Sequence, residues 1–132
     1  MASKKKTSTQ VKHFIEKKTK KWQRILGLEQ WLVRVMLFPN AQAADGGTCL
    51  SITWSPGYQC ATIAHYPQTR DLSWDWIEHT VIHEMLHLQF ARLTDTLDTT
   101  FNSVSPVSAE MNLRLEGAID GLTTILQKEM GK

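Results

Sequence analysis

The pattern of apolar and polar positions predicts an amphipathic helix near the N-terminus. Between residues 11 and 26 the apolar side chains recur at helical spacing, and most of the lysines fall on the other face. Ser8 or Thr9 is the expected N-cap, and Gly27 is the expected C-terminal stop. The chain therefore begins its ordered structure with a helix whose apolar stripe needs a partner.

Three short segments rich in β-branched and aromatic residues predict strands at residues 31–38, 49–54 and 59–66. The tetrapeptide Ser55-Pro56-Gly57-Tyr58 is typical of a turn and joins the last two strands as a hairpin. The loop over residues 40–48 separates the first strand from this hairpin. We expect a small, mainly antiparallel sheet.

The predicted turn implies a register in which the numbers of paired residues sum to 113. Cys49 then faces Ala64 and Cys60 faces Thr53, so the two cysteines are not disulfide partners. Two cysteines without a CxxC motif are typical of reduced thiols. The same register puts six side chains on the core face: Leu50, Ile52, Trp54, Ala61, Ile63 and His65.

Two more helices are predicted downstream of the hairpin. Ser73 as N-cap and Asp75 in the first turn favour a helix that runs to about Leu93. Pro106 fits the first turn of a final helix that continues to about Lys128. Its expected buried stripe is Leu115, Ala118, Ile119, Leu122 and Leu126. The fold class predicted by this order is α+β.

Composition limits the chain to one domain. It has 132 residues, 42% of them hydrophobic and 21% charged, which suits a single core. We expect residues 1–10 to form a basic flexible tail and residues 11–132 to form the domain. No apolar run reaches the roughly 18 to 20 residues that span a bilayer, and residues 1–10 lack the apolar stretch of a signal peptide, so a cytoplasmic protein is expected.

The net charge of +2 hides an asymmetry. Residues 1–24 hold nine of the 15 lysines and arginines and one of the 13 acidic residues. A basic arm on an acidic body is a candidate for contact with nucleic acid or an anionic surface, here through residues 4–24. The alternative is a solvated helix face that keeps a small protein soluble.

The sequence His83-Glu84-Met85-Leu86-His87 is an HExxH motif inside the helix that follows Ser73. Two histidines four residues apart lie on one helix face, where both imidazoles can bind one zinc ion. Glu84 points about 100° away around the helix and can reach a metal-bound water as a general base. Apolar neighbours on this helix make an unpartnered set of two histidines and one glutamate costly to bury.

A catalytic zinc needs a third protein ligand and one open position. On the final helix Glu116 and Asp120 lie four residues apart, so that Glu116 can complete the site and Asp120 can orient a ligand histidine. Gly117 between them is expected to allow a close approach of the two helices. A solvated acid pair is the alternative, with Asp95 and Glu110 as other candidate third ligands.

The pattern His83-Glu84-x-x-His87 followed by Glu116-x-x-x-Asp120 resembles the gluzincin branch of zinc metallopeptidases. The resemblance implies that His83, His87 and Glu116 bind zinc, that Glu84 activates water and that Asp120 supports a ligand histidine. The small size and the element order are also similar to the minimal phage- or prophage-type zincins, the minigluzincins and the ImmA/IrrE-like peptidases. It therefore implies a zincin-like fold over about residues 31–128.

In zincins a strand at the upper rim of the cleft pairs with extended substrate, which by analogy would be residues 59–66. His65 and Tyr66 at the end of this strand are then candidates for stabilising the transition state. The simpler interpretation is a core histidine and a strand-end aromatic residue. His79, one turn before His83, is expected at the rim of the site rather than as a fourth ligand.

These features predict a zinc-dependent metallopeptidase that acts on a protein or peptide substrate. One alternative is a non-catalytic regulatory or binding protein with a structural zinc, in which His79 or Asp95 closes the coordination. Another is a DNA-associated protease whose basic arm docks on nucleic acid. The substrate and the oligomeric state do not follow from the sequence.

Overall fold

A computed structural model describes residues 6–38, 50–55, 57–91, 93–95, 99 and 106–130. Its elements are α1 (Ser8–Leu26), β1 (Leu32–Leu37), β2 (Leu50–Ser55), β3 (Cys60–His65), a 3₁₀ turn (Pro67–Asp71), α2 (Trp74–Gln89) and α3 (Pro106–Met130). The α+β class and the element order are as predicted. The loop at residues 40–48, Cys49 and most of residues 94–105 lie outside the described residues.

Helix α1 begins at Ser8, earlier than the hydrophobic pattern indicates. Its N-cap is Thr7 rather than Ser8 or Thr9, because Thr7 and Gln10 form a reciprocal capping box that satisfies two backbone N–H groups. The last three residues of the predicted tail are therefore helical. Gly27 adopts a left-handed conformation with φ of 69° and ends the helix, as expected.

The sheet is mixed, in the order β1-β3-β2. Strands β2 and β3 form the predicted antiparallel hairpin, whereas β1 runs parallel to β3. The prediction that residues 59–66 form a substrate-binding edge is wrong, because β3 is the central strand and its backbone is paired on both sides. A strand can be added only at an open edge.

The hairpin register differs from the prediction by two residues. Leu50 pairs with His65 and Ser55 pairs with Cys60, so the paired numbers sum to 115. The loop is longer than the expected turn, and Gln59 takes a left-handed conformation with φ of 51° that no sequence signal indicates. Because side chains alternate with a period of two, the shift leaves the core face unchanged.

The core lies between this sheet face and helices α1 and α2. Val33 and Val35 of β1 share the face with Ile63, since the parallel pairing aligns them with β3. The largest fully buried apolar side chains are Trp22, Ile15, Ile63, Ile77, Ile82, Met85, Leu88 and Ile119. The opposite sheet face carries exposed residues such as Leu32 and Arg34. No helix among the described residues is both long and apolar enough to cross a bilayer.

A buried carboxylate joins α1 to α2. Glu78 is 6% exposed and accepts hydrogen bonds from Trp22 Nε1 at 2.9 Å and from Lys21 Nζ at 3.1 Å. Lys18 Nζ lies 3.5 Å from the same oxygen. Burial alone would raise the pKa of Glu78, but these bonds and charges outweigh it and lower the pKa. Lys18 and Lys21 of α1 thus help to hold α1 against α2 through their ion pairs with Glu78.

Helix α2 starts at the predicted cap, since Ser73 Oγ accepts from the Trp76 N–H at 3.1 Å. It ends at Gln89 rather than near Leu93, although residues 91 and 93–95 are again helical. On α3 the buried side of the helix differs from the prediction. Ile119 and Thr123 are fully buried and Leu115 and Leu126 are half-buried, whereas Ala118 and Leu122 are exposed.

His65 is a core residue, only 1% exposed, with no hydrogen-bond partner for Nε2. Burial lowers its pKa, the charge of Lys12 acts in the same direction, and Glu16 opposes them. Just below pH 6.5, the unfolded chain therefore binds a proton at His65, whereas the folded protein keeps His65 neutral. As the pH falls below 6.5, the ordinary pKa of histidine, the free energy of unfolding should decrease by up to about 1.4 kcal/mol per pH unit because of this residue.

Urea unfolding at about pH 7.5 and about pH 5 tests this expectation. The decrease in unfolding free energy between the two pH values should be smaller in His65→Gln than in the unsubstituted protein. His13→Gln, which removes an exposed histidine of α1, serves as the matched control. An equal decrease in all three proteins would contradict the assignment of His65 as a buried neutral base.

Candidate metal centre

Helix α2 presents its two histidines to α3. The buried side chains of Ile82, Met85 and Leu86 fix the rotation of α2 in the core. His83 and His87, four residues apart, then lie together on the side that faces α3, with ring centroids 4.9 Å apart. The local helix thus places both rings before any contribution from α3.

Glu116 on α3 completes the group. Its Oε1 lies 2.8 Å from His83 Nε2, its Oε2 lies 3.0 Å from His87 Nε2, and the two Nε2 atoms are 3.2 Å apart. Ligand atoms from these three residues all lie within 4.8 Å of one another, so that the group could hold a metal ion. The structure therefore brings together the three residues that the sequence predicted as metal ligands.

The donor set fits a small cation. Two ligand atoms bound tetrahedrally to one ion at about 2.0–2.1 Å are about 3.3 Å apart, close to the separations seen here. A neutral imidazole carries one N–H, and in the tautomer protonated on Nδ1 each Nε2 directs its lone pair toward the other ring and the carboxylate. A cation at this point would satisfy all of them at once.

Asp120 contacts the ring of His83 at Nδ1, the nitrogen that faces away from the metal-binding group. Its Oδ1 lies 2.9 Å from His83 Nδ1 and can accept the Nδ1–H, which leaves Nε2 free to bind a metal. The aspartate is 62% exposed, so its contribution comes mainly through this one bond. Its predicted role as a support for a ligand histidine remains a prediction, and the geometry is suited to it.

Burial sets the electrostatics of the group. It lowers the pKa of His87, with the charge of Glu116 opposing the shift and that of His83 adding to it. A neutral imidazole is the form that binds metals. Burial also raises the pKa of Glu84 to about 8, and the nearby Glu116 carboxylate adds to the rise. Glu84 is thus a carboxyl group that exchanges its proton near neutral pH.

Comparison of the chain with protein-family models, with curated proteins and with solved structures finds no match. The function must therefore be argued from the residues of this site.

The other candidate residues do not belong to this triad. His79 donates its Nδ1–H to Gln127 Oε1 at 3.1 Å, and its ring stacks on that of Trp76 with the ring centroids 4.6 Å apart. Tyr66 OH bonds to Ser51 Oγ at 3.0 Å, on the strand side of the molecule. His65 is buried in the core, as described above. Neither His65 nor His79 joins the metal-binding group among the described residues.

The two other candidate third ligands also fall outside the group. Glu110 accepts from Arg114 Nε at 2.9 Å on the exposed side of α3, and Asp95 lies beyond the end of α2. Gly117 does not allow a close helix approach as predicted, because a Cβ added there would meet nothing within 4 Å. Helices α2 and α3 are joined by the buried Ile119 and, beside it, by polar side chains.

These polar side chains form a seam between α2 and α3 that consists of His79, His83 and His87 on α2 and Glu116, Asp120 and Gln127 on α3. The sequence pattern identified all of them except Gln127. Gln127 bonds to His79 and also donates from Nε2 to the Asp75 carbonyl at 2.7 Å. Glu116, Asp120 and Gln127, at i, i+4 and i+11, share one face of α3, as His79, His83 and His87 share one face of α2. That periodicity was the available signal for Gln127. Beyond His79 the seam opens into a pocket of about 610 Å³.

We expect Asp120→Asn to weaken metal binding about 10-fold to about 100-fold, because His83 loses the carboxylate that holds its ring. Competition of the protein against a fluorescent zinc chelator measures the affinity. Asp71→Asn, an exposed position outside the seam, is the matched control. Equal affinities of Asp120→Asn and the control would contradict a supporting role.

Proposed function

We propose that this protein is a zinc-dependent hydrolase of peptide bonds. The observation that carries the proposal is the convergence of His83 Nε2, His87 Nε2 and the Glu116 carboxylate, with Glu84 on the same helix. An HExxH helix with a downstream carboxylate is the arrangement that metallopeptidases use. The resemblance of the motif to gluzincins points to the same reaction.

Zinc is the metal that the donor set favours. Two imidazole nitrogens and one carboxylate make up a common catalytic zinc set, which leaves a fourth position for water or substrate. When bound, zinc would act as a Lewis acid that polarises the substrate carbonyl and lowers the pKa of a bound water. Softer metals prefer thiolate ligands, and Cys60 lies in the sheet, away from the triad.

The protein's own residues would perform the remaining chemistry. His83, His87 and Glu116 hold the metal, and Asp120 keeps His83 in the required tautomer. Glu84 would take a proton from the attacking water and return it to the leaving amine. Burial raises the pKa of Glu84, and the charge of a bound zinc would oppose that shift and favour the ionised form that a base requires. The pocket lined by His79 and Gln127 offers room for substrate side chains beside the triad, whose own residues do not line it.

A structural zinc site is the alternative function, and it requires a fourth protein ligand. His79 and Asp95 are the candidates from sequence. His79 is held instead by Gln127 and Trp76, and among the described residues only three side chains form the group. The geometry therefore favours a catalytic site over a structural one.

The proposal is tested by purifying the full chain without chelators, measuring its zinc content and incubating it with a mixed peptide library analysed by mass spectrometry. We expect about one zinc per chain, cleavage that stops after treatment with a chelator, and recovery when zinc is returned. Full zinc content without cleavage of any library peptide would favour the structural alternative. Cleavage that survives complete zinc removal would contradict the proposal.

A further inference from the structure

Helix α1 carries a stripe of exposed basic side chains. Between residues 6 and 24 the chain has seven lysines and arginines and a single acid, Glu16. Lys18 and Lys21 are directed to the buried Glu78. The stripe itself is spaced i, i+4, i+7 and i+11 along the helix and consists of His13, Lys17, Lys20 and Arg24, all exposed.

The three fully basic members have no ionic partner in the part of the chain that the structure describes. Lys17, Lys20 and Arg24 form no ion pair with any described residue. At a rise of about 1.5 Å per residue, they are about 4.5 Å and about 6 Å apart along the helix axis. A line of cations at this spacing matches a polymer with closely spaced negative charges, such as the phosphates of a nucleic acid.

The burial pattern of α1 argues against a membrane surface as the partner. A helix that binds a lipid surface inserts a free apolar face into it. The apolar face of α1 packs against the core, because Val11, Ile15 and Trp22 are completely buried and the other apolar side chains of this face are partly buried. The stripe also contains no exposed aromatic ring on which bases could stack, so the contact would be to the phosphate backbone.

The stripe and the metal centre lie on different sides of α2. Helix α1 meets α2 through Glu78, whereas His83 and His87 face α3. Five residues separate Glu78 from His83, which is a rotation of about 140° around the helix. A polyanion bound to α1 therefore leaves the metal centre open and stays away from the carboxylates of α3.

We propose that α1 is a nucleic-acid-binding surface whose Lys17, Lys20 and Arg24 contact the phosphate backbone without reading the sequence. This surface is independent of the proposed hydrolase activity, because it shares no residue with the metal centre. It would place the protein on nucleic acid while the α2–α3 seam remains accessible.

The test is fluorescence anisotropy of labelled single-stranded and duplex DNA, each of two unrelated sequences, titrated with the full zinc-loaded chain at several salt concentrations. Three phosphate contacts predict a log–log salt slope of at least about 2 for single strands and about 2.7 for duplex. Between about 50 and 200 mM salt, this slope corresponds to a loss of about 20-fold to about 40-fold in affinity.

The deciding comparison uses two triple variants with the same net charge. The first triple, Lys17→Gln with Lys20→Gln and Arg24→Gln, removes the three fully basic members of the stripe. The second, Arg34→Gln with Arg114→Gln and Lys128→Gln, removes three basic residues from the rest of the chain. We expect the first triple to lose more than about 10-fold in affinity and about 2 from its salt slope. The second should stay within about threefold of the unsubstituted chain.

Circular dichroism and zinc content of both triple variants check that the exposed substitutions leave the fold and the metal centre intact. Equal losses in both variants would overturn the proposal, because net charge alone would then explain binding. Binding of phosphatidylserine vesicles without binding of either DNA would also overturn it. Preferential binding of one DNA sequence over the other would overturn the assignment to the phosphate backbone.

Discussion

Replacing Glu84 with glutamine is expected to slow peptide hydrolysis by about 100-fold to about 10,000-fold while the zinc content stays unchanged. The amide keeps the size of the side chain but cannot accept the proton of the attacking water. Glu84 is absent from the group of residues that could hold a metal, so that its loss should not release the ion. The measurement is kcat/KM on a library-derived peptide, with zinc determined on the same sample.

Glu129→Gln is the matched control for this variant, because Glu129 is an exposed glutamate at the end of α3. It should retain the turnover of the unsubstituted protein. Two results would contradict the assignment of Glu84 as the base. One is full turnover in Glu84→Gln, and the other is a loss of activity that follows a loss of zinc.

His87→Ala is expected to weaken zinc binding by more than about 100-fold, beyond the range expected for Asp120→Asn, and to abolish hydrolysis. The substitution removes one of three metal donors, whereas the loss of Asp120 only loosens one of them. Excess zinc should therefore raise the melting temperature of the unsubstituted protein but leave that of His87→Ala unchanged. This thermal shift reports metal binding independently of activity.

His13→Ala is the matched control, since it removes an exposed histidine of α1. It should show the same zinc affinity and thermal shift as the unsubstituted protein. Glu116→Ala should resemble His87→Ala, because both side chains belong to the same group. Stoichiometric zinc in His87→Ala or in Glu116→Ala would show that the metal is held elsewhere.

The helices were predictable from sequence because their signals are local. Apolar periodicity and Gly27 located α1, and Ser73 located the start of α2. The errors at the helix ends are also local in origin. Thr7 displaced the expected caps because its partner, Gln10, stands three residues on and completes a capping box.

The sheet was less predictable because its order depends on pairing between distant segments. Strand β3 lies between β1 and β2 because β1 pairs with it in parallel. The residues of these two strands carry no sequence signal for that pairing. The hairpin register depends on Gln59, whose left-handed conformation is uncommon for a glutamine. The core face still came out correctly, because alternation depends only on odd and even positions.

The metal-binding group was predictable in its composition and less so in its surroundings. The spacing of His83 and His87 dictates that they share a helix face, and Glu116 was the acid on α3 with an aspartate one turn later. The polar contacts that join α2 to α3 depend on the relative height of two helices. Sequence patterns do not determine how far one helix is shifted along its axis relative to the other. For this reason the contact of His79 with Gln127 was not predicted.

The most direct test of the central claim is a crystal structure of the zinc-loaded protein with anomalous diffraction measured at the zinc edge. We predict one strong peak about 2.0–2.1 Å from His83 Nε2, His87 Nε2 and a Glu116 carboxylate oxygen, with a water as the fourth ligand. A peak without Glu116 among its ligands, a fourth ligand from the protein, or no peak between the two histidines would contradict the claim.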